Sequence, residues 1–483
     1  MKALLHPTAC CESNKKTPSP SLGSSLSPLP QISASEVSQH NSAESLYVIY
    51  KNVVYDATEF CSAHPGGSGK LLLAGGKHLE PFWAVFKQHE GQEYVVRDVL
   101  ASLPVVGELQ DSDKVFVHKV DNPYIHEPVR TGSLKYHSVT PCNAECMEEG
   151  LRTFITDSDD YYIRHHGPVP IVEDKNGYEI DVGGMVLNLN KIETMIKERK
   201  IVTSTMQCGG NRRGTFKSHQ KTSGTQWGVG AISTAKWEGV ELRSVLRMCY
   251  TDAEISRFSH VHVEGMDGTL ISIPKDRAMD PTKDVLLATR MNDEDITPDH
   301  GFPARLIVPG VVGVRNIKWV KKIALASEEA DSMWQTGHAY KVLPTWVKKV
   351  EEVDVAEFDG MMEMQPQSAT TMAKATKGGD TLVKGFAYSG GGRKIVKVEV
   401  SFDGGKSWKD AELDEGTEQG SGKSWAWTMW SYKGEGRGKV LCRATDEDGR
   451  GQPKGVEKIW NLRGLGCNAW HEREVDEEEV EEE

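Results

Sequence analysis

Residues 46–89 read LYVIYKNVVYDATEFCSAHPGGSGKLLLAGGKHLEPFWAVFKQH. The β-branched and aromatic run from Leu46 to Ala57 predicts strands. At His64-Pro65-Gly66-Gly67 the proline sets one dihedral and the glycines accept backbone conformations that other residues resist, so a tight turn leaves an imidazole projecting. An apolar segment follows, with Leu71, Leu72, Leu73, Leu79, Phe82, Trp83, Val85 and Phe86, and it runs up to His89. Together these signals predict a small mixed domain over 46–109.

Outward from this domain the character of the chain changes. Residues 1–45 are rich in Ser and Pro and poor in large apolar side chains, which predicts a disordered leader. The first 40 or so residues contain no Arg, unlike an amphipathic organelle presequence. Residues 110–128, with Asp111, Asp113, Asp121, Pro123 and Pro128, have the composition of an interdomain linker. From 129 to 350, β-rich runs such as LIVPGVVGV alternate with helical stretches such as KIETMIKERK, so this region is expected to be α+β. Over 351–471, Val396, Val398, Val400 and Phe402 alternate with Lys397, Glu399 and Ser401, and Asp403-Gly404-Gly405 follows as a hairpin turn. Alternation recurs in SWAWTMW and KVLCRA, the pattern of a β-sandwich. Residues 472–483 form an acidic tail of nine acids and one Arg, expected to be solvated and disordered unless it attracts a basic partner. The fold class is therefore α+β multidomain.

At 483 residues, with 38% hydrophobic and 26% charged side chains, the chain is long enough for two to four domains. The net charge of -13 excludes a general affinity for nucleic acid, and no apolar run reaches the roughly 20 residues of a membrane span. Nine cysteines lie along the whole length without paired CxxC spacing, so free thiols are expected, with one local bridge open between Cys142 and Cys146.

Two neutral imidazoles on opposite faces of a porphyrin saturate its iron and favour electron transfer, which makes His64 and His89 candidate haem ligands and the apolar segment a candidate haem wall. His78 competes for the second position. VVYDATEFCSAHPGG resembles the cytochrome b5 signature, and that resemblance implies haem b held by His64 and His89.

Met206-Gln207-Cys208-Gly209-Gly210-Asn211-Arg212-Arg213 sets one thiol beside two glycines and two guanidinium groups. A cationic neighbourhood favours the metal-binding thiolate, and arginines suit an oxyanion or a phosphate. An isolated cysteine is more simply a small buried hydrophobe. This one is not isolated: YYIRHHGPVP, QCGGNRR, GTQWGVGAISTAKWEGV, HGFPARLIVPGVVGVRNIKWV and WNLRG, in order, resemble the eukaryotic, animal-type sulfite oxidase family. The resemblance implies a central molybdopterin domain and an immunoglobulin-like dimerisation domain, hence a homodimer. It makes Cys208 the protein ligand of molybdenum, and His166, Asp267, His300, Arg305, Arg315 and Lys318 the residues that hold the molybdopterin and its phosphate. Arg164, Arg213, Trp227, Tyr340 and Arg463 match the anion pocket. Three guanidinium groups in one cavity are costly without an anion and point to a small dianion. Where the family usually has Asn this chain has His165, and where it usually has Ala this chain has Gly209. His165 could alter local proton traffic.

The activity implied is oxidation of sulfite, with electrons leaving through the haem to cytochrome c, in the mitochondrial intermembrane space. Nitrate reductases share the molybdenum domain and are the alternative, but in them the haem domain follows the molybdenum domain and leads to a flavin module. They also tend to carry Met at the position of Arg463. A non-enzymatic haem carrier is a third reading, opposed by the full set of Cys208 and arginines.

Overall fold

The computed structural model describes residues 29–64, 68–85, 98–114 and 123–480. His89, Phe86 and much of the expected linker lie outside these residues. The N-terminal sheet has the order Gln31–Ile32, Val105–Leu109, Val53–Asp56, Ser45–Tyr50, Asn41–Ser42. On one face Leu46, Val48, Cys61, Leu71, Leu79 and Leu100 form the core with the helix Thr58–Ala63, while Ile49, Val54 and Leu109 pack on the other.

The expected leader is too long. Gln31–Ile32 pairs parallel with Glu108 and Leu109, and a helical turn Ala34–Val37 follows, with Ser33 Oγ accepting from Glu36 N as its cap. Ile32 and Val37 are buried against Ile49 and Val54. Two aliphatic residues suffice because they complete a sheet edge that the rest of the domain has already built, and one of the serines is a cap. Among the expected wall residues, Leu71 and Leu79 are buried, Leu72, Phe82 and Trp83 pack against this core, and Leu73 is exposed.

The central region builds two five-stranded sheets and a three-stranded one. In one five-stranded sheet the order is Met185–Asn188, Glu179–Val182, Val320–Ala326, His260–Gly265, Leu270–Pro274. In the other, Lys200–Gln207, Ile232–Glu241 and Leu286–Met291 are neighbours, and Arg305–Ile307 also pairs with Leu286–Met291. KIETMIKERK is only partly helical: the helix is Leu189–Met195, capped by Asn188, and Lys200 opens a strand. The small sheet, Leu134–Val139, Cys142–Cys146 and Ile163–Arg164, brings Asn143 opposite Arg164. Cys142 and Cys146 are both free, as are the other cysteines among the described residues.

The C-terminal region is a sandwich. One sheet runs Glu412–Leu413, Thr428–Gly434, Thr381–Tyr388, Gln367–Thr376, Asp476–Val480; the other runs Lys409–Asp410, Ile395–Ser401, Lys439–Asp446, His471–Glu474. Ala373, Val383, Trp430, Val398, Val400, Val440 and Cys442 from both sheets share one core. Val396 breaks the expected alternation and is exposed, because a bulge between Ile395 and Lys397 shifts the register and buries Ile395 instead. The acidic tail is not wholly disordered: His471–Glu474 pairs with Lys439–Cys442, and Asp476–Val480 pairs parallel with Gln367–Thr376. Val475 is buried in the sandwich core and Arg473 makes a bidentate contact with Glu148, so alternate side chains of an edge strand keep the charges in solvent. No helix among the described residues is long and apolar enough to cross a membrane.

Candidate active site

Cys208 directly follows the strand Lys200–Gln207 and its backbone N–H donates to Ala231 O (2.9 Å), which ties the loop to the start of Ile232–Glu241. Arg212 takes a left-handed φ of 59°, and a 3-10 turn opens at Arg213. A Cβ on Gly210 would lie 2.4 Å from Arg213 Nη2, so the glycine lets this guanidinium fold across the loop. Arg213 Nε donates to the carbonyls of Arg463 (3.0 Å) and Gly464 (3.1 Å), and Nη1 to Thr225 O (2.9 Å). Arg164 donates to Asn143 Oδ1 (2.8 Å) and contacts His166 Nδ1 (3.1 Å), and Arg463 Nη1 donates to Ser223 Oγ (3.0 Å). Cys208, Arg164, Arg213, Trp227, Tyr340 and Arg463 all line one cavity of about 410 Å³.

Among the described residues no carboxylate forms an ion pair with any of the three arginines. Burial above all, joined by Arg164 and Arg463 and opposed by Cys208 and Tyr340, lowers Arg213 to about 10. Burial also lowers Arg463, and Arg164 adds to the effect. The Tyr340 hydroxyl is raised, first by burial and then by Cys208. These positive groups are held together by neutral carbonyl and hydroxyl acceptors, and an anion would compensate them.

An adjoining cavity of about 70 Å³ shares Arg164, His165, His166, Cys208 and Tyr340 and adds Asp267, His300, Arg305 and Lys318. Lys318 Nζ donates to the carbonyls of Arg164 (3.2 Å) and Asp299 (2.9 Å). Burial and then Arg305 hold it well below the usual lysine range. Arg305 lies 5.2 Å over Trp237 and donates to His300 O (3.0 Å). His300 bonds Ser158 O through Nε2 (3.0 Å), and burial keeps it neutral, reinforced by Arg305 and Lys318. Asp267 accepts from the N–H (3.0 Å) and Oγ1 (2.8 Å) of Thr269. Arg305 Nε, His165 Nδ1 and Tyr161 Oη are buried without a partner in the protein. Uncompensated cations and unpartnered polar atoms around a cavity that ends at a thiol fit a phosphate-bearing pterin cofactor whose metal Cys208 would ligate.

Arg315 departs from the expectation. It lines neither cavity and is fully buried, donating to Trp334 O (3.0 Å), Met361 O (3.3 Å) and Gln335 Oε1. Its neighbours in sequence, Gly313 and Val314, face the cavity, but the 3-10 turn Gly313–Arg315 sends the guanidinium to the segment around Met361. His64 caps the helix Thr58–Ala63 in an extended conformation and meets the edge of Phe60 at 5.9 Å. His78 forms a backbone bridge with Ile49, and its Nδ1 lies 3.8 Å from Glu80. Asn143, Tyr161, Tyr162 and Trp334 line the cavities without having been expected. The two tyrosines stand within the same short block as Arg164, a legible signal, whereas Asn143 comes in only through strand pairing.

Three family models match the chain: the cytochrome b5-like haem/steroid binding domain over 33–110, the oxidoreductase molybdopterin binding domain over 166–334, and the Mo-co oxidoreductase dimerisation domain over 352–478. The mitochondrial sulfite oxidase of Homo sapiens is 40% identical over 464 residues, covering 90% of this chain and 82% of that one. A nitrate reductase [NADH] of Phaseolus vulgaris is 33% identical over 373 residues, covering 68% of this chain but 40% of that one. The sulfane dehydrogenase SoxCD of Paracoccus pantotrophus shares the fold, with a TM-score of 0.58 and 24% identity over 75% of this chain and 93% of that one. With its cytochrome b5-like, molybdopterin-binding and dimerisation regions in this order, the chain belongs to the sulfite oxidase family.

Proposed function

We propose that this chain oxidises sulfite to sulfate at the cavity lined by Cys208, Arg164, Arg213 and Arg463. The observation that carries this reading is the convergence of three arginines, none paired with a carboxylate among the described residues, on one thiol. Bound molybdenum supplies two-electron redox chemistry and bound haem one-electron chemistry. In balance, sulfite and water give sulfate, two protons and two electrons.

The residues divide the work. Arg164, Arg213 and Arg463 neutralise and orient the dianion, and three fixed positive charges suit sulfite better than a monoanion such as nitrate. Trp227 walls the cavity, and the Tyr340 hydroxyl, kept protonated by its raised pKa, is available as a hydrogen-bond donor. His166, Asp267, His300, Arg305 and Lys318 would hold the pterin and its phosphate, and Cys208 the metal. His64 and His89 would hold the haem b of the N-terminal domain, through which electrons leave singly to cytochrome c. A homodimer formed through the C-terminal domain, placed in the mitochondrial intermembrane space, completes the reading.

The test is stopped-flow absorbance of purified, molybdenum-loaded protein mixed with sulfite. Rapid reduction of the haem is expected, followed by reduction of added ferricytochrome c. A haem that stays oxidised with sulfite while the protein reduces nitrate from a viologen donor would overturn the assignment.

A further inference from the structure

Behind the Trp227 wall lies a buried carboxylate that the roles above do not use. Glu145 is 3% exposed. Its Oε1 accepts from Gly228 N (2.8 Å) and its Oε2 from Gly230 N (2.9 Å), amides one and three residues after Trp227. The same carboxylate lies 2.5 Å from His137 Nε2, and the His137 ring meets Trp227 edge-on at 4.9 Å.

Local structure builds this arrangement. The pairing of Leu134–Val139 with Cys142–Cys146 shifts register between Tyr136 and Ser138, and His137 is the extra residue. A Cβ on Gly228 would lie 2.8 Å from Glu145 Oε2, and one on Gly230 would lie 2.1 Å from Cys146 O, so both glycines are needed for this close approach. The clamped loop also accepts from the metal-site loop: Arg212 N donates to Gly228 O (2.7 Å), Gly214 N to Trp227 O (2.9 Å) and Cys208 N to Ala231 O (2.9 Å).

We propose that Glu145, with His137, is a positioning residue that locks the Trp227 loop and thereby sets the fit of the anion cavity for a small oxyanion. This rests on the sulfite reading above. Because the carboxylate accepts from two amides and an imidazole at once, no neutral side chain of its size can replace it: the amide of a glutamine would turn a donor toward at least one of those N–H groups. The loop then loses a fixed position, and the anion loses one wall of its cavity.

The experiment uses the full-length, molybdenum-loaded protein and compares wild type with Glu145→Gln and His137→Phe. It measures KM and kcat for sulfite per molybdenum and titrates sulfate as a non-reacting anion. Glu145→Gln is expected to raise KM and weaken sulfate binding together by about tenfold, with kcat changed less than about threefold. His137→Phe keeps an aromatic edge on Trp227 and is expected to shift both constants the same way by about threefold. Unchanged KM and sulfate affinity, or a fall in kcat alone, would overturn the proposal. If Glu145→Gln does not fold or load molybdenum, His137→Phe decides by the same two constants. A wild-type protein that binds sulfate but does not turn over sulfite would instead strike at the sulfite reading, leaving the sulfate titration to judge the clamp.

Discussion

Cys208 is 6% exposed and stands where the two cavities meet, so its sulfur is shielded from bulk water and open to a cofactor. Replacing it tests the metal assignment with little change of volume. Cys208→Ser is expected to leave the haem spectrum intact and to drop sulfite turnover below about 1% of wild type, measured by haem reduction; retained turnover would refute the assignment. Arg164→Gln removes one charged donor from the anion. A charge-assisted hydrogen bond contributes about 1.5–3 kcal/mol, so KM for sulfite should rise roughly 10- to 150-fold in steady-state assays.

His165 makes a separate prediction at the same scale. Its Nε2 donates to Asp299 O (3.0 Å), and burial holds its pKa well below that of a free histidine, with Lys318 adding to the effect. It therefore stays neutral, and the proton traffic expected of it moves from catalysis to stability. His300 and His471 are depressed for the same first reason, burial. A histidine lowered in the folded state is protonated first in the unfolded chain. Its effect is absent above an unfolded pKa of about 6.5, and stability is lost as pH falls from there toward the folded values. Cofactor-free protein should lose stability as pH falls below about 6.5, at up to about 1.4 kcal/mol per pH unit for each of the three groups. His165→Asn, whose amide can donate to the same carbonyl, should flatten that slope by about one proton in denaturant titrations. An unchanged slope would remove His165 from the effect.

At the scale of elements, the strands after Trp470 bear on stability. His471–Glu474 adds a fourth strand to one sheet of the sandwich, His471 Nδ1 accepts from Thr370 N (3.1 Å), and Arg473 binds Glu148 of the central region (2.7 and 2.9 Å). Truncation after Trp470 removes the buried Val475 and these contacts together, at a cost of about 3 kcal/mol. Thermal unfolding should move down by about 5–10 °C; an unchanged Tm would mean that the strand contributes no stability. Composition made this segment look like a solvated tail because nine acids outweigh two valines in any average. The burial of Val475 depends on alternation against a neighbouring strand. The same holds at Val396, where a single bulge moves an apolar side chain into solvent.

At the scale of the molecule, the anion cavity is assembled across regions, since Arg463 and Leu465 come from the C-terminal part and the other lining residues from the central part. On the proposed reading the haem of the N-terminal domain would receive electrons from that cavity, and residues 110–128 connect the two regions along the chain. If this stretch is a tether that lets the domain move, shortening it should slow flash-initiated haem reduction severalfold while leaving steady-state binding of sulfite unchanged. An equal rate would make it a passive spacer.

The chemistry of the anion site was legible in the order of residues, because a thiol beside two arginines carries its properties within a few positions. The family blocks around Arg164, Cys208, Trp227, His300 and Arg463 marked most of the lining for the same reason. Only the tertiary structure decided which of these side chains meet. It brought Arg164, Arg213 and Arg463 into one cavity and drew in Asn143, set Tyr161 on the adjoining cavity, turned Arg315 away from both, and placed Glu145 behind Trp227. It also converted part of the Ser-rich leader and of the acidic tail into edge strands. Convergence and burial depend on the register of strands far apart in the chain, and composition averaged over a local window does not contain that register.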